Sequence, residues 1–588
     1  MNGLLGAASL GSGSLARLGA YAERRDGVTL CPPGAFALWR IGAPAGGLRT
    51  MRSEGVQAWL LGDLFTPPSP ASSPPPEGLL DAYRRQGHRW VWSLEGQFAL
   101  ALWDPARREL ALYRDDSSTR SLYYHQLPGG AVVFSDRLDL LVHCPLVPRR
   151  LSRDGLHEYL RLLDITSPNT IYAGVRSIEP GVLCLHDRHG VHRRRPQTTA
   201  TATATADVDG PVPTLEQAAG TLDGLLTEAI ARRTADAESL VCFLSGGVDS
   251  AYLCALAAAQ GLEVTAVTVG FADAVADEAA VAASIAAALG IRHRILRFSI
   301  PEYQRAFADL AAAEYPFADP AGAPTLLAFE KARDSAEIAL DGTGADTLLG
   351  IMPARHQRIA VEYAARLPYA LRRALAGLMT PVPGLRDYRP LLDFGDPQEV
   401  LMRWRGWPRR TIQRVCGRPV DLGGSRFYQI HRSFAPGAHM ARYSALMGTL
   451  PDDRIHVASA HTGLRVRFPF FAPAVADYVE RLPVQLRYAA GEHKRVLKHA
   501  LARHLARALW DLPKHGFDFP FDDLLMADDH ALLRAYADAP TLERLGCTNP
   551  ARLSQAVAQY RAGHRADRFR VWALAVLGAW LQQHDLSA

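Results

Sequence analysis

Short apolar runs separated by turn residues dominate the chain before residue 198, and this pattern predicts a β-rich domain. Strands are predicted at 56–65, 97–104, 109–115, 120–127 and 131–136. The tetrapeptide LPGG at 127–130 lies between the last two runs and predicts a hairpin loop.

Beyond residue 213, buried apolar runs alternate with alanine-rich segments of helical character. Strands are predicted at 239–244, 264–271, 293–299 and 337–342, and helices at 255–260 and 277–290. Strands that alternate with helices form a parallel sheet with helices on both faces. From about residue 355 the chain reads as mostly helical, with arginine-rich polar faces. The pattern therefore predicts the α/β class, with a doubly wound parallel sheet and a helical extension.

Two segments of unusual composition interrupt these patterns. The stretch TPPSPASSPPPEG at 66–78 predicts a loop of polyproline character. The stretch at 198–213 consists mostly of small residues and predicts a linker. We therefore expect one domain at 1–197 and a second at 214–588.

Composition excludes several classes of protein. Apolar residues make up 48% and charged residues 21%, which is typical of a globular chain. A net charge of +5 does not favour a nucleic-acid or membrane partner, and no apolar run reaches the roughly 18 residues of a membrane span. The N-terminus lacks the basic region of a signal peptide, so we expect a soluble cytoplasmic protein.

The seven cysteines form no CxxC pair, which argues against a zinc ribbon or a disulfide framework. Cys242 and Cys254 lie in apolar surroundings, and we expect them to pack in the core.

The motif SGGVDS at 245–250 follows a predicted strand and opens a helix. Its glycines allow the backbone to approach an anion, and the helix supplies free N–H groups and a positive end. An aspartate within such a loop suits a Mg²⁺ ion that bridges phosphates, because Mg²⁺ prefers oxygen ligands. The motif predicts a phosphate-binding loop, and an ordinary strand-to-helix turn is the alternative.

A second glycine-rich turn, DGTGADTLLG at 341–350, also follows a buried strand. The carboxyl ends of parallel strands lie along one edge of the sheet, where ligands bind. Asp346 is therefore expected opposite Asp249 as a second metal ligand. A glycine-rich surface turn with a solvated aspartate is the alternative.

At this point the sequence resembles the asparagine synthetase family. The two glycine-rich motifs and YPFADP at 315–320 are similar to its synthetase domain, as are the blocks at 465–483, 491–501 and 512–520. Similarity to its glutaminase domain is carried by LEGQFALALWD at 94–104, LYRDDSSTRSLYY at 112–124 and VFSD at 133–136. The resemblance implies an Ntn-hydrolase-like αββα domain followed by an adenine-nucleotide α-hydrolase-like synthetase domain.

The resemblance also implies a reaction that uses ATP and Mg²⁺. A carboxylate would be activated as an acyl-adenylate with release of pyrophosphate, and an amine would then attack it. The implied nucleotide-binding residues are Ser245, Gly246, Gly247, Asp249, Ser250, Val269 and Gly342. The implied metal ligands are Asp249 and Asp346.

Lys514 matches the family lysine that stabilises the pentavalent phosphorus and the later oxyanion, so the implied catalytic residues are Lys514, Asp346 and Asp249. The chain contains four lysines against 61 arginines, which favours a chemical role for a retained lysine, although chance retention is the alternative. Lys494 is interpreted as a salt-bridging or phosphate-steering residue.

Two departures from the family pattern affect the predicted chemistry. Asn2 follows Met1 where glutamine-using members have the nucleophilic cysteine, and GDLFTP at 62–67 replaces their glutamine-binding block. We therefore expect a glutaminase-like domain that is inactive. Thr343 stands where asparagine synthetases have Glu and β-lactam synthetases have Tyr. The residue that takes a proton from the attacking amine is therefore not identified, and His461, Glu362 and Tyr363 are the candidates.

The block at 156–181, together with DGTGADTLLG, looks most like the lasso-peptide cyclases among the members that lack the cysteine. The implied substrate is a ribosomal core peptide whose Asp or Glu side chain is joined to its own N-terminal amine as a macrolactam. A leader-binding protein and a leader peptidase are the implied partners. The alternatives are a small-molecule β-lactam or amide synthetase, an ammonia-dependent asparagine synthetase-like ligase, and a catalytically inactive scaffold.

Overall fold

The structure is a computed structural model. It describes residues 3–32, 34–42, 47–65, 76–117, 120–195, 212–271, 278–349, 355–379, 381–382, 384–394, 400, 406–419, 425, 453–487, 492–512 and 519–586. Asn2, most of the proline-rich stretch, most of the predicted linker and Lys514 lie outside the described residues. The domain boundaries at 197 and 213 therefore stay a prediction.

Two antiparallel sheets form the first part of the chain. Their strands are β1 (Gly3–Ala8), β2 (Val28–Cys31), β3 (Phe36–Ile41), β4 (Leu48–Ser53), β5 (Val56–Leu64), β6 (Gly96–Asp104), β7 (Glu109–Arg114), β8 (Tyr123–Gln126), β9 (Val132–Ser135), β10 (Val175–Ser177), β11 (Leu183–Asp187) and β12 (Gly190–Arg194). One sheet has the order β10-β8-β9-β1-β3-β2 and the other β12-β11-β7-β6-β5-β4. The predicted hairpin at 127–130 is confirmed, because β8 and β9 are neighbours around it.

The two sheets pack face to face and carry helices on their outer faces. Phe36 lies between the sheets, with its ring centroid 5.2 Å from that of Trp59 and 6.2 Å from that of Phe134. The outer faces are covered by α1 (Ser12–Glu23), α2 (Pro76–Gln86) and α3 (Leu138–Val142), whereas α4 (Arg153–Leu162) contacts the C-terminal part, where the Tyr159 hydroxyl donates a hydrogen bond to the carbonyl of Ala573. Strands buried on both faces read as continuous apolar runs, as β6 does. The predicted αββα architecture is confirmed.

The glycine-rich N-terminal segment forms a central strand that the sequence pattern did not reveal. β1 pairs with β3 on one side and β9 on the other. A Cβ atom at Gly6 would lie 2.3 Å from the Phe134 ring, so the close packing of the strand requires glycine there. Its GLLGAA sequence has too few large apolar side chains to read as a strand.

A five-stranded parallel sheet forms the second part. Its elements are α5 (Leu215–Arg233), β13 (Ser239–Phe243), α6 (Val248–Ala259), β14 (Glu263–Val269), α7 (Glu278–Leu289), β15 (Arg292–Leu296), α8 (Ile300–Ala311), α9 (Gly322–Arg333), β16 (Ile338–Leu340) and β17 (Arg465–Arg467), and the strand order is β15-β14-β13-β16-β17. Leu240 and Cys242 face one core, whereas Val241 between them faces the other. The predicted doubly wound sheet is confirmed.

The rest of the described chain is helical, as predicted. Its helices are α10 (Ala345–Leu349), α11 (Arg355–Glu362), α12 (Tyr369–Met379), α13 (Arg409–Cys416), α14 (Asp453–Thr462), α15 (Pro473–Arg481), α16 (Val484–Arg487), α17 (Arg495–Leu501), α18 (Phe521–Tyr536), α19 (Ala539–Glu543), α20 (Ala551–Arg561) and α21 (Arg568–Gln583). Within the described ranges, no helix has the length and apolar character that crossing a membrane requires.

Buried polar contacts join the two parts of the molecule. Arg467 on β17 binds Asp63 on β5, with 2.7 Å between Nη1 and Oδ2. The neighbouring Gln97 side chain donates a hydrogen bond of 2.9 Å to the carbonyl of Val466. These contacts hold the αββα part against the edge strand of the parallel sheet, and the two parts share a cavity beside that edge.

Candidate active site at the carboxyl edge of the parallel sheet

The predicted phosphate loop lies between the end of β13 and the start of α6. Gly246 has φ of +71°, a conformation that favours glycine, and a Cβ atom there would lie 3.1 Å from Val281 Cγ1. Gly247 follows in an extended conformation and caps α6. Because Gly247 does not cap the helix with a side chain, the first N–H groups of α6 are open to an anion.

Two hydroxyl groups face each other across this loop. The Ser250 hydroxyl donates a hydrogen bond of 3.2 Å to the carbonyl of Gly247, and its oxygen accepts one of 3.3 Å from the N–H of Ser245. The Ser245 and Ser250 hydroxyl oxygens are 3.4 Å apart. Both residues line the cavity, so the loop presents hydroxyl and amide donors together.

The second glycine-rich turn packs directly against the first. A Cβ atom at Gly342 would lie 3.2 Å from Asp249 Cβ, which is tighter than most such contacts. Asp341 accepts a hydrogen bond of 2.8 Å from the N–H of Thr343 and another from its hydroxyl. The Thr343 hydroxyl is therefore engaged in holding the turn that leads into α10.

A lysine side chain joins Asp249 and Asp346. The ammonium group of Lys494, directly before α17, forms an ion pair with the carboxylate of each residue. The exposed fraction of the Lys494 side chain is 5%, against 17% for Asp249 and 41% for Asp346. The structure thus brings the two predicted metal ligands together, around a residue that the sequence pattern did not place between them.

Charge and backbone geometry explain how Lys494 holds this position. Burial alone would lower the pKa of Lys494, but the carboxylates of Asp249 and Asp346 raise it above its usual value. Its φ of +56° is uncommon for a residue other than glycine, and this backbone turn lies at the N-terminus of α17. The site is therefore organised around a fixed positive charge.

The carboxylates also suit a divalent cation. Within the described part of the chain, Asp249 Oδ1 is buried and accepts no hydrogen bond, although a buried polar atom normally has a partner. Asp346 is half exposed on the other side of the Lys494 ammonium. Two carboxylates beside hydroxyl and amide donors form an oxygen-rich set that fits Mg²⁺ and a triphosphate.

These residues form one wall of a cavity of about 830 Å³. Val269 and Gly342 line it together with Ser245, Gly247, Asp249 and Ser250, whereas Gly246 is not among the lining residues. Asp116 and Tyr123 of the αββα part and Phe519 of the helical part form other walls. The cavity is therefore built by three parts of the chain.

The candidate bases do not lie among the described residues that line this cavity. His461 is exposed on α14, 3.9 Å from Glu330, in a group that includes the half-buried Asp309. The Arg305 guanidinium already binds Asp309 and Glu330 there. Glu362 is the last residue of α11 and Tyr363 follows it, with an exposed fraction of 61%. None of the three is therefore supported as the base by the described lining of the cavity.

His456 is a lining residue that the sequence reading missed. Burial, with the nearby Arg114 and Arg120, lowers the pKa of His456 to about 3, so the imidazole is neutral at ordinary pH. It lies on α14 and faces the cavity. No sequence signal marks it, because its environment comes from arginines more than 300 residues away along the chain.

The fold and the site together define a two-domain, nucleotide-dependent synthetase with an amidotransferase-type αββα domain. A sequence model of the asparagine synthase family matches residues 221–582, and one of a glutamine amidotransferase domain matches residues 71–196. The chain belongs to the asparagine synthase family, whose members use ATP. It is an ATP-dependent amide-forming ligase.

Similarity to individual proteins supports the same family assignment. The chain is 26% identical over 528 residues to a Mycobacterium tuberculosis H37Rv protein named as a glutamine-hydrolysing asparagine synthetase, covering 86% of this chain and 79% of that protein. It is 24% identical over 467 residues to glutamine-hydrolysing asparagine synthetase 1 of Bacillus subtilis, covering 76% and 71%. Among solved structures, the B. subtilis glutamine phosphoribosylpyrophosphate amidotransferase aligns over 59% of this chain and 77% of its own, at 12% identity and a TM-score of 0.22, which is too low to add to the assignment.

Proposed function

We propose that this ligase is a lasso-peptide cyclase. It would adenylate an Asp or Glu side chain roughly seven to nine residues into a core peptide, and the peptide's own N-terminal amine would close the macrolactam ring. Because the amine and the activated acid belong to one peptide chain, the enzyme needs to hold that peptide in a folded conformation and does not need to bind a second substrate that carries the amine.

The observation that carries the proposal is the size and composition of the cavity. A volume of about 830 Å³ lies at the upper part of the range for ligand sites and leaves room beside a nucleotide. Aromatic residues Tyr123, Phe471 and Phe519 line it together with Asp116 and Asp164. Apolar walls suit peptide side chains, and carboxylates suit a cationic N-terminal amine.

Features of the αββα domain support a reaction in which the attacking amine belongs to the substrate and is not ammonia released from glutamine. The residue directly before β1 is Asn2, where the glutamine-using relatives of the family pattern have a cysteine. The sequence GDLFTP occupies the place of their glutamine-binding block. This domain would then serve as a wall of the substrate cavity and have no glutaminase activity.

The proposed reaction has two steps. The substrate carboxylate attacks the α-phosphorus of ATP, a P–O bond forms, and the bond to pyrophosphate breaks. The amine then attacks the acyl carbon, a C–N bond forms, AMP leaves with the C–O electron pair, and the amine loses a proton. A Mg²⁺ ion would supply charge neutralisation at the phosphates. Asp249 and Asp346 would hold that ion, and the serines and amide groups of the 245–250 loop would bind the triphosphate.

Lys514 is proposed to donate hydrogen bonds to the reacting phosphate and later to the oxyanion. The proposed setting is the cytoplasm, with a leader-binding protein and a leader peptidase delivering the peptide. A short precursor gene and a small peptidase gene beside this one would support the cyclase proposal.

Mass spectrometry of a synthetic core peptide tests the proposal. The core segment of the peptide that a neighbouring short reading frame encodes, synthesised without its leader, is incubated with the full-length protein, ATP and Mg²⁺. We expect the peptide to lose the mass of one water while AMP and pyrophosphate form in equal amounts. Asp249→Asn should lower this turnover at least about 100-fold, since it removes a ligand for the phosphates' counter-ion.

Asp309→Asn is the matched control, because Asp309 lies on α8, outside the described lining of the cavity, and should leave turnover unchanged. Formation of AMP with ammonium and aspartate, and not with the peptide, would favour the ammonia-dependent alternative. Formation of AMP with a small carboxylated amino acid would favour the β-lactam or amide synthetase.

A further inference from the structure

A pair of partly exposed thiols lies outside the ligase site. The sulfur atoms of Cys416, at the end of α13, and Cys547, in the loop between α19 and α20, are 3.6 Å apart. Both residues are half-buried, so small reagents can approach them. A disulfide bond is about 2.05 Å long, so a movement of about 1.5 Å would bring the sulfurs to bonding distance.

Backbone contacts on both sides hold the two thiols in register. The N–H of Asn549 donates a hydrogen bond of 2.8 Å to the carbonyl of Val415, and the Thr548 hydroxyl donates one of 3.0 Å to the carbonyl of Cys416. Gly417 follows with φ of +69°, and a Cβ atom there would lie 2.3 Å from the Thr548 hydroxyl. The packing of these two segments therefore fixes the thiols close together.

The neighbouring His157 makes one of these thiols the more reactive. It lies on α4, is buried, and is close enough to the Cys416 thiol to act on it. The Cys547 hydrogen bond lowers the pKa of the Cys416 thiol against the opposing effect of burial, and His157 lowers it further. The pKa of Cys547 is raised by the same hydrogen bond. Thiolate character at one cysteine beside a second one is typical of redox-responsive pairs.

A second close pair in the same chain lacks these features. Cys242 on β13 and Cys254 on α6 are hydrogen-bonded to each other, with exposed fractions of 1% and 0%. That hydrogen bond and burial raise the pKa of Cys242. The prediction that these two cysteines pack in the core is confirmed, and they provide an internal reference.

We propose that Cys416 and Cys547 are a redox modification site that forms a reversible intramolecular disulfide when hydrogen peroxide oxidises it. The Cys416 thiolate attacks the peroxide oxygen, an S–O bond forms, the O–O bond breaks, and the leaving oxygen departs as water after taking up the thiol proton. Cys547 then attacks the sulfenic sulfur, the S–S bond forms, the S–O bond breaks, and a second water leaves with the Cys547 proton. Two thiols are oxidised by two electrons and the peroxide is reduced to two waters. A dithiol reductant reverses the change, as in transient disulfides of reducing compartments.

Peptide mapping of the oxidised full-length protein tests the site. The reduced protein is treated with hydrogen peroxide, its free thiols are blocked with N-ethylmaleimide, and it is digested without reductant. We expect a cross-linked peptide that contains Cys416 and Cys547, lighter by two hydrogens than the reduced pair, and its loss after dithiothreitol. Cys242 and Cys254 should still be free thiols, which N-ethylmaleimide alkylates once the protein is unfolded. Retention of free thiols at Cys416 and Cys547, or earlier oxidation of Cys242, would overturn the proposal.

Two variants test which thiol reacts first. In Cys547→Ser a sulfenic acid should persist at Cys416 and be trapped by a 1,3-diketone probe, whereas Cys416→Ser should leave Cys547 unlabelled. His157→Gln should slow alkylation of Cys416 at pH 7 by about tenfold, because it removes the stabilising imidazole. Labelling of Cys547 instead, or an unchanged rate in His157→Gln, would contradict the assigned order.

Discussion

One buried ammonium group connects the two loops that carry the candidate metal ligands. Lys494 binds Asp249 in the first turn of α6 and Asp346 in the first turn of α10, and these helices follow different strands of the sheet. Two carboxylates so close together repel each other unless a cation lies between them. Lys494 supplies positive charge to both carboxylates, so its ion pairs hold the two loops together.

Lys494→Met is expected to destabilise the protein by about 3 kcal/mol, because removing one member of a buried ion pair leaves the other uncompensated. Millimolar Mg²⁺ should restore part of the loss, since the ion supplies positive charge to the same carboxylates. The measurement is the thermal midpoint with and without Mg²⁺. Lys498 lies one turn further along α17 and pairs with Asp511 at 3.0 Å on a more exposed surface. Lys498→Met should therefore lower the unfolding free energy by less than about 1 kcal/mol and show no Mg²⁺ effect. Equal Mg²⁺ responses of the two variants would contradict this explanation.

Asp115 gives the αββα domain a pH-dependent contribution to stability. Burial raises the pKa of Asp115 to about 7, although hydrogen bonds from Ser117 lower it. The carboxyl also accepts a hydrogen bond of 3.0 Å from the N–H of Phe98. The folded state therefore retains a proton that the unfolded chain releases near pH 4.

Asp115 should for this reason lower the free energy of unfolding as the pH rises from 4 to 7, since the unfolded state binds fewer protons in that window. Asp115→Asn removes this dependence. The difference in unfolding free energy, wild type minus variant, should fall by roughly 2 kcal/mol between pH 5 and pH 7 in denaturant titrations. A constant difference would show that Asp115 is ionised in the folded protein.

Close helix contacts set how the C-terminal elements pack. α21 is buried along most of its length, and a Cβ atom at Gly578 would lie 1.7 Å from the carbonyl oxygen of Tyr536 at the end of α18. Glycine is therefore required at this crossing for steric reasons. Gly377 in α12 has no such neighbour, because an added Cβ atom there meets nothing within 4 Å.

Gly578→Ala is expected to lower the unfolding free energy by at least about 2 kcal/mol, because the methyl group forces α18 and α21 apart. Gly377→Ala should instead raise it by about 0.5 kcal/mol or more through helix propensity. Thermal denaturation of the two variants checks the opposite signs. A shift of the same sign and size in both would mean that the crossing adapts to the methyl group.

In the whole molecule, the two domains meet through buried charge as well as apolar packing. The exposed fraction of Arg467 on β17 is 4%, and its partner Asp63 comes from β5. Arg465, two residues away on the same strand, is 28% exposed and pairs with Asp236 at 2.8 Å. The cavity lies between the domains, so their docking decides its shape.

Arg467→Met should lower the unfolding free energy by about 3 kcal/mol, because Asp63 loses its partner inside the interface. Arg465→Met, its neighbour on the strand, should cost less than about 1 kcal/mol because water screens that pair. Denaturant titration gives both values. Equal losses of unfolding free energy in the two variants would mean that water reaches Asp63 and that this ion pair is not buried in the interface.

The sequence by itself determined the element types, the order of the domains and the phosphate loop. Apolar periodicity predicted β6, β13 and β14 because strand and helix periods are local properties. The expectation that Asp249 and Asp346 share one rim needed only the rule for the carboxyl ends of parallel strands. The short β17 and the glycine-rich β1 escaped prediction, because their places in the sheets depend on distant partners.

Only the tertiary structure decided which distant groups meet. Lys494 lies 245 residues from Asp249, and Cys416 lies 131 residues from Cys547. The neutral state of His456 and the volume of the cavity likewise depend on how separate elements pack. Local sequence encodes what each segment becomes, whereas contacts between remote side chains, and the desolvation that shifts their pKa values, exist only after the segments have docked.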